Sequence, residues 1–206
     1  MENEATLASA FVRRRIQSIT ESTNESATRA TLAKLRRGIG KPPGSMPEIW
    51  KVTLEGLPDG LLSKDGAPTT SEWAVHTVLT LYALHQQGKD LQKSPMSCEN
   101  VSLGCAIRRL VKSEEDEPRV KRRFDAAATS DNLEEFSHHL RGLVQLLKAE
   151  DIPLDYPALT KDLYWFQIPE TRDSVRLSWG QDFYRNSKIE DTGKDDNDDG
   201  NDNENQ

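Results

Sequence analysis

The sequence predicts an all-α fold. Apolar residues recur at spacings of three and four along most of the 206-residue chain, whereas the alternating pattern of half-buried strands is scarce. Pro and Gly residues interrupt this periodicity, as they do between helices. The hydrophobic content of 35% is sufficient for a core at this length, so we expect the chain to fold without disulfides.

Two helices and a long loop are predicted before residue 70. The first helix is marked by Leu7, Val12, Ile16 and Ile19. The second helix is marked by Thr28, Leu32, Leu35 and Ile39. Glycines and the pair Pro42 and Pro43 end this second helix. Residues 41–70 are rich in Pro and Gly, which predicts a loop with one short helical piece around Ile49 to Leu54.

The segment WAVHTVLTLYALHQQ predicts a central helix. Thr69 and Glu72 have the spacing of a capping box at its start. The segment is apolar nearly all round its circumference, as expected for a helix enclosed by other helices. We therefore expect His76 and His85 to be hydrogen-bonded core histidines. Gly88 and the polar segment KDLQKSPMSCEN follow as the predicted boundary between two helical halves.

The second half predicts further helices, at VSLGCAIRRLVK, PRVKRRFDAAA, DNLEEFSHHLRGLVQLLKAE and YPALTKDLYWF. A last helix aligns Val175, Trp179 and Phe183 on one face. The strongest apolar stripe consists of Leu133, Phe136, Leu140, Leu143, Val144 and Leu147. Because Trp is usually buried, we also assign Trp50 and Trp165, together with Trp179, to packing.

The domain organisation predicted from these patterns is two small helical bundles and a tail. The bundles span 1–92 and 93–186, joined by a short linker. Residues 187–206 hold eight carboxylates against two lysines, a composition typical of a disordered acidic tail. The N-terminus lacks the pattern of a signal peptide, and the longest apolar run falls short of the roughly 20 residues that span a membrane. We expect a cytoplasmic protein that does not bind membranes.

Basic residues cluster in this chain even though its net charge is -7. The stretch 27–44 contains no carboxylate, and three predicted helices carry cations on the face opposite their apolar residues. The candidate nucleic-acid-binding residues are Arg29, Arg36, Arg37, Lys41, Arg108, Arg109, Lys112, Arg119, Arg122 and Arg123. Arg29, Arg36 and Arg37 are expected to have no helical carboxylate partner, and arginine suits forked contacts with phosphate. The predicted partner is a nucleic-acid backbone, bound without reading its sequence.

No catalytic chemistry is indicated. Glu135 and His138 form one E-x-x-H, but a di-iron helical bundle needs a second copy and two further glutamates. Cys98 and Cys105 lack a neighbouring His, so neither a zinc knuckle nor a nucleophile is indicated. A Gly-rich phosphate loop and a serine nucleophile elbow are also missing from the sequence. We therefore predict no catalytic residues, no metal and no cofactor, with His138 and His139 as surface groups.

Four segments, TRATLAKLRRG, VSLGCAIRRLV, RVKRRFDAAATSDNLEEFSHHLRGLVQLLKAEDIPLDYPALTKDLYWF and VRLSWGQDFYR, carry a resemblance to a known family. In this order and spacing they resemble the CasB family, the small subunit of the type I-E CRISPR surveillance complex Cascade. The resemblance covers most of residues 8–186 and implies an all-helical protein of two small bundles.

The resemblance also implies a function. Two copies of the subunit would lie along a crRNA-guided complex, between its backbone subunits and its large subunit. Their basic surface would contact crRNA and target DNA and hold the R-loop open through the displaced non-target strand, without catalysis. The matching motifs carry this role to Arg36, Arg37, Arg108, Arg122, Arg123 and Arg141. Two departures weaken it, because Cys105 and Gly142 stand where many relatives have arginine.

Two other hypotheses remain open at this point. The chain could be a protein-only scaffold whose basic faces dock acidic faces of neighbouring subunits. It could also be a helical metalloenzyme built on Glu135 and His138, which would require a bound metal. The scaffold and the nucleic-acid hypotheses use the same basic residues, so they differ in the partner rather than in the surface.

Overall fold

The computed structural model describes residues 2–185, and the all-α prediction is confirmed there. Within this range the regular structure is helical, apart from one isolated parallel bridge between Ser97 and Leu154. The α-helices are α1 (Glu2–Thr20), α2 (Glu25–Arg37), α3 (Trp50–Thr53), α4 (Thr70–His85), α5 (Leu103–Arg108), α6 (Glu117–Ala128), α7 (Leu133–Ala149), α8 (Tyr156–Phe166) and α9 (Pro169–Arg185). The predicted acidic tail, 187–206, lies outside the described residues.

Short 3₁₀ turns at Pro47–Ile49 and Asp59–Leu61 complete the loop between α2 and α4. The short helical piece predicted there is confirmed as α3. None of the helices described is both long enough and apolar enough to cross a lipid bilayer.

Side-chain caps fix the start of the helices that organise the fold. At α4 the hydroxyl of Thr69 accepts a hydrogen bond from the N–H of Glu72, and the Glu72 carboxylate accepts one from the N–H of Thr69 at 2.7 Å. The predicted capping box is therefore confirmed. At α8 the carboxylate of Asp155 accepts from the N–H of Ala158 at 2.8 Å and from that of Asn100 at 2.9 Å. One carboxylate thus starts α8 and positions the chain before α5.

The central helix α4 is buried on almost every side, because α1, α2, α7 and α8 surround it. Its two histidines are hydrogen-bonded core residues, as predicted. His76 Nε2 lies 3.0 Å from the carbonyl oxygen of Gly38, and His85 Nδ1 lies 2.9 Å from the hydroxyl of Tyr156. Burial lowers the pKa of His76 and lowers that of His85 to about 4. Both imidazoles are therefore neutral at pH 7.

The first helix packs mainly on a helix from the far end of the chain. α1 lies along α8, and two hydrogen bonds join them. The hydroxyl of Ser9 donates to the carbonyl of Pro157 at 2.6 Å, and the hydroxyl of Tyr164 donates to the carboxylate of Glu4 at 2.6 Å. This contact brings the two sequence halves into one hydrophobic core.

The segment between α4 and α5 is held at its start by one buried side chain. The amide nitrogen of Gln86 donates to the carbonyl of Ser94 at 3.2 Å, and its amide oxygen accepts from the N–H of Met96 at 2.8 Å. Since helices of both halves share the core around this segment, the division into 1–92 and 93–186 stays a prediction.

Helix α5 lies directly against the backbone of α9. A Cβ atom at Gly104 would be 2.2 Å from the carbonyl oxygen of Trp179 and 2.8 Å from the amide nitrogen of Phe183. Only glycine permits this approach. The indole of Trp179 is fully buried and stacks on Phe136 and Phe166, with ring centroids 5.1 and 5.6 Å away. The prediction that Trp179 is a core residue is confirmed.

The other two tryptophans differ from each other. Trp165 is partly buried and packs against the core, as predicted. The packing assignment of Trp50 is wrong, because 44% of this residue is exposed. It begins the four-residue helix α3, where Ile49 takes the buried position, and its indole N–H donates to the carbonyl of Gly44 at 2.9 Å.

Candidate nucleic-acid interface

Several of the predicted basic residues pair with carboxylates of the chain itself. The pairs are Arg29 with Glu25 at 3.0 Å, Arg37 with Glu48 at 2.9 Å, Arg108 with Glu117 at 2.8 Å, Lys112 with Glu150 at 3.9 Å and Arg119 with Asp116 at 2.9 Å. The expectation that Arg29 lacks a helical carboxylate is wrong, since Glu25 lies one turn before it on α2. Arg37 finds Glu48 only through folding of the loop after α2. Apart from the half-buried pair of Arg108 and Glu117, these pairs are largely exposed and each contributes about 0–1 kcal/mol, so an external anion can replace the carboxylate.

Arg108 has a structural role. It is half-buried, donates to the carboxylate of Glu117 and lies over the ring of Phe183, 5.6 Å from the ring centroid. It therefore ties α5 to α6 and α9. The predicted helical stripe of Arg108, Arg109 and Lys112 is also wrong in one respect, because α5 ends at Arg108 and the other two residues follow the helix.

The remaining candidates make no ion pair with any residue in the described range. They are Arg36, Lys41, Arg109, Arg122, Arg123 and Arg141. Two of these lie together, since Arg122 and Arg123 are adjacent on α6, and Arg141 lies on the helix packed beside it, α7. Arg36 lies in the last turn of α2, and Lys41 follows the end of that helix.

An open groove separates the exposed edges of α6 and α7, and we call it the α6–α7 groove. It has a volume of about 320 Å³. Its lining consists of Arg122, Arg123 and Ala126 from α6 and of His138, His139, Gly142 and Leu143 from α7. The two helices touch below it through their apolar faces, where Val120, Phe124, Leu140 and Leu143 are buried. Arg141 is exposed and lies one turn from His138 on α7, but it is not part of the groove lining.

The two histidines are the residues that sequence reasoning missed at this site. His138 is exposed and His139 partly exposed, as predicted for surface groups, but both line the groove opposite the arginines. Their rings lie 5.5 Å apart. The signal in the sequence is the HH pair itself, which predicts nothing until the packing of α6 on α7 is known. Their N–H groups add donors to those of the arginines.

The E-x-x-H pattern does not form a site around these histidines. The carboxylate of Glu135 accepts a hydrogen bond from the N–H of Asp131 at 3.0 Å, at the start of α7. Among residues 2–185 no group of three or more His, Cys, Asp or Glu side chains could hold a metal ion. The groove chemistry is that of a cationic surface, with forked guanidinium donors that suit phosphate oxygens.

The family of the chain follows from comparison with known proteins. Residues 31–184 match the family model of the CRISPR-associated protein Cse2. The chain belongs to the Cse2 family. CasB from Thermobifida fusca has a structure similar to this Cse2-family chain, with a TM-score of 0.70 and 32% sequence identity, covering 86% of this chain and 98% of that chain. The predicted relationship to CasB is confirmed.

Two further solved structures resemble this Cse2-family chain. A chain of a CRISPR RNA-guided surveillance complex is 25% identical, with a TM-score of 0.65, and the match covers 88% of this chain and 94% of that chain. A Cse2-family protein from Thermus thermophilus has the same fold at 23% identity and a TM-score of 0.63, covering 84% of this chain and 97% of that chain. No curated protein matches the sequence significantly.

The two departures from the family pattern have different surroundings in this Cse2-family chain. A Cβ atom at Gly142 would meet no atom within 4 Å, so the groove has room for a side chain there. Cys105 is partly exposed, and its Sγ lies 3.9 Å from the carbonyl oxygen of Asp182 on α9. Of the two positions, Gly142 lies in the α6–α7 groove and Cys105 lies at the α5–α9 contact.

Proposed function

We propose that this chain is a non-catalytic subunit of a Cascade-type, crRNA-guided surveillance complex. In this proposal the α6–α7 groove binds the phosphate backbone of the displaced non-target strand and stabilises the R-loop. Other Cascade subunits, including the backbone and large subunits, and a second copy of this chain are its protein partners. The family match and the relative in an RNA-guided surveillance complex support this assignment.

One observation of the site carries the proposal. Arg122 and Arg123 stand side by side on α6, face the histidines of α7 and make no ion pair with a described residue. Side chains whose only role is solubility commonly pair within a helix, as Lys121 does with Asp125 at 2.6 Å on the same helix. Two guanidinium groups that lie beside a groove and form no ion pair with a described residue can instead bind an external anion.

The mode of binding follows from what lines the groove. Among the described residues, its lining includes no Phe, Tyr or Trp, so bases have no large aromatic surface on which to stack. Contacts to phosphate position a strand but carry no sequence information. Binding should therefore be independent of sequence, as a subunit needs when guide pairing reads the target.

Weak contacts are sufficient for this function. R-loop formation exchanges a DNA duplex for an RNA–DNA duplex of similar stability, so the equilibrium is nearly balanced. A few phosphate contacts to the displaced strand shift it towards the open state. Each contact to single-stranded nucleic acid adds about -0.7 to the slope of log K against log[salt], so Arg122, Arg123 and Arg141 together predict a slope of about -2.1.

The test measures binding of a fluorescein-labelled oligothymidylate to the full chain across a KCl series, by fluorescence anisotropy. The variant Arg122→Gln/Arg123→Gln should bind more weakly and lose about 1.4 from the salt slope, because two contacts are removed. The matched control is Arg14→Gln/Lys161→Gln. It removes the same charge from exposed positions of α1 and α8 that form no ion pair among the described residues.

Equal slopes for the parent and the groove variant would contradict the proposal. The scaffold hypothesis would then be favoured if the groove variant also failed to assemble with the other Cascade subunits. A groove variant that assembles normally but gives a less stable R-loop would support the nucleic-acid contact and argue against the scaffold. Thermal unfolding of each variant shows whether the substitutions leave the fold intact.

A further inference from the structure

Three basic side chains from three elements meet where α4 ends. Arg36 comes from the last turn of α2, Lys89 from the turn after α4 and Lys148 from the last turn of α7. One Nη of Arg36 lies 3.5 Å from the carbonyl oxygen of Ala83, and Nζ of Lys148 donates to the side-chain oxygen of Gln87 at 3.2 Å. We call Arg36, Lys89 and Lys148 the α4-end cluster. Only Arg36 was predicted as a binding residue.

The α4-end cluster has more positive charge than its own carboxylates balance. Lys89 pairs with Asp151, but neither Arg36 nor Lys148 forms an ion pair with any residue in the described range. The pKa of Lys148 is lowered, first by partial burial and then by the charges of Arg36 and Lys89. The three cations are therefore close enough to repel one another. An anion bound between them would offset this repulsion and favour the charged form of Lys148.

Most of the hydrogen-bond donors in the cluster have no partner among the described residues. The guanidinium of Arg36 has five N–H donors, and its contact with Ala83 is long. Lys148 has three donors, of which one reaches the neutral amide of Gln87. The carbonyl ends of α4 and α7 each favour a nearby cation, but this attraction uses few of the N–H donors of Arg36 and Lys148.

A groove of about 610 Å³ opens beside the cluster, between α2 and the turn after α4. Arg29, Arg36 and Lys89 line it. Its two carboxylates already have partners, since Glu25 pairs with Arg29 and Asp90 accepts two backbone N–H groups of its own loop at 2.8 Å. The groove is therefore a concave surface with free cationic donors at one end.

We propose that the α4-end cluster binds one phosphate group of a single-stranded nucleic acid. Arg36 supplies a guanidinium fork from α2, Lys148 supplies an ammonium group from α7, and Lys89 contributes its ammonium group when the phosphate displaces Asp151. The identity of the anion rests on the proposed function, but the site is separate from the α6–α7 groove. Lys148 lies six residues beyond Gly142, about 9 Å along α7 and about 120° round its axis, so a strand that crosses the surface of α7 obliquely would contact both sites.

The first experiment tests the phosphate site without nucleic acid. The probe is inorganic tripolyphosphate, and the measurement is the thermal unfolding midpoint of the full chain in the Arg122→Gln/Arg123→Gln background, where the two arginines that line the α6–α7 groove are absent. Tripolyphosphate should raise the midpoint, because a ligand that binds only the folded state stabilises it. Adding Lys148→Gln should abolish most of the rise, whereas adding the control Lys161→Gln, exposed on α8, should leave it unchanged. Equal rises in all three proteins would overturn the proposal.

The second experiment identifies the source of the phosphate. With labelled oligothymidylate, Lys148→Gln should reduce the salt slope by about 0.7, in the parent and in the Arg122→Gln/Arg123→Gln background alike. If only Lys148→Gln lowers the slope, this site stands and the proposed function of the groove fails. If only the groove variant does, the groove stands and this proposal is overturned. A loss of the tripolyphosphate effect with an unchanged oligothymidylate slope would also overturn it, in favour of a site for small phosphate compounds.

Discussion

The α5–α9 pair of helices and the α6–α7 pair are built in opposite ways. At the α5–α9 contact, Gly104 brings two backbones so close that a single methyl group would be 2.2 Å from a carbonyl oxygen. At the α6–α7 groove, Gly142 has no atom within 4 Å of the position that a Cβ would occupy. Both glycines lie inside helices. One is required by packing, and the other leaves space on a basic surface.

The difference teaches how to interpret a glycine within a helix. At the α5–α9 contact the two backbones touch, so this surface is buried in the fold. Arg108, which lies beside the contact, forms an ion pair with Glu117. Helices α6 and α7 touch only through their apolar faces, so their exposed edges leave the α6–α7 groove open. Arg122 and Arg123 at this groove form no ion pair with a described residue. Close packing and binding capacity are thus separated within one half of the molecule.

Substitution at the close contact should have the largest effect. Gly104→Ala places a methyl group against the backbone of α9, which cannot move aside as a flexible side chain can. We expect the free energy of unfolding to fall by about 3 kcal/mol or more, at or above the usual range for overpacking. Urea unfolding followed by circular dichroism measures this change.

The control for Gly104→Ala is Gly142→Ala, which should act in the opposite direction. Alanine is favoured over glycine within a helix by about 1 kcal/mol, and no atom lies near the new methyl group. A loss of stability at both positions would show that the two helix contacts do not differ as described.

A partly buried carboxyl group on the packed side, that of Asp162, gives the next largest effect. The carboxylate of Asp162 accepts a hydrogen bond from the indole of Trp179 at 2.7 Å, and burial raises the pKa of this carboxyl to about 6. The unfolded chain ionises more readily, with a pKa of about 3.9, so stability falls as the pH rises from about 4 to 6. Asp162→Asn keeps an acceptor for the indole and should stabilise the protein above pH 6 by about 2–3 kcal/mol.

The measurement for Asp162 is the free energy of unfolding between pH 4 and pH 8. Near pH 4 the variant and the parent should be nearly equal, and the difference should grow until about pH 6 and then stay constant. The exposed Asp59→Asn serves as a control and should follow the parent. Parallel profiles for the parent and Asp162→Asn would show that this carboxyl titrates normally.

The smallest effect is expected from filling the open groove. Gly142→Arg adds a cation between Arg122 and His138 without a clash, and it should steepen the salt slope of oligothymidylate binding by about 0.7. Gly142→Gln has similar helix propensity and nearly the same reach but no charge. If both variants bind alike, the groove contacts no phosphate at this position.

Much of the fold follows from the sequence because the determining signals are local. Thr69 and Glu72 predict the start of α4 from four residues, and Val175, Trp179 and Phe183 predict the buried face of α9. Local spacing was insufficient at α1, where Leu7 is 36% exposed while Ala8 is fully buried. The apolar spacing assigned Leu7 to the buried face of α1. The smaller Ala8 is buried instead, because its short side chain allows α8 to approach α1 closely.

The site was harder to predict because its chemistry depends on contacts between distant residues. Whether a cation is free depends on which carboxylate the fold brings to it, and Glu48 reaches Arg37 only through a loop of irregular structure. Lys89 and Lys148 lie far apart in sequence, and nothing in either segment indicates that they share a site with Arg36. Arg122 and Arg123 were predictable, since they lie opposite the apolar face of one helix.

The packing of α1 on α8 has a consequence for synthesis of the chain. The ribosome releases α1 before its main partner α8, which begins about 135 residues after α1 ends. At about 5–20 residues per second, α8 follows roughly 7–30 s later, and until then α4 and the turn Asp59–Leu61 cover only part of the apolar face of α1. The small residues Ala5, Ala8 and Ser9 on that face limit the exposed apolar area during this interval. A face that suits close packing in the finished protein also lowers the tendency of the nascent chain to aggregate.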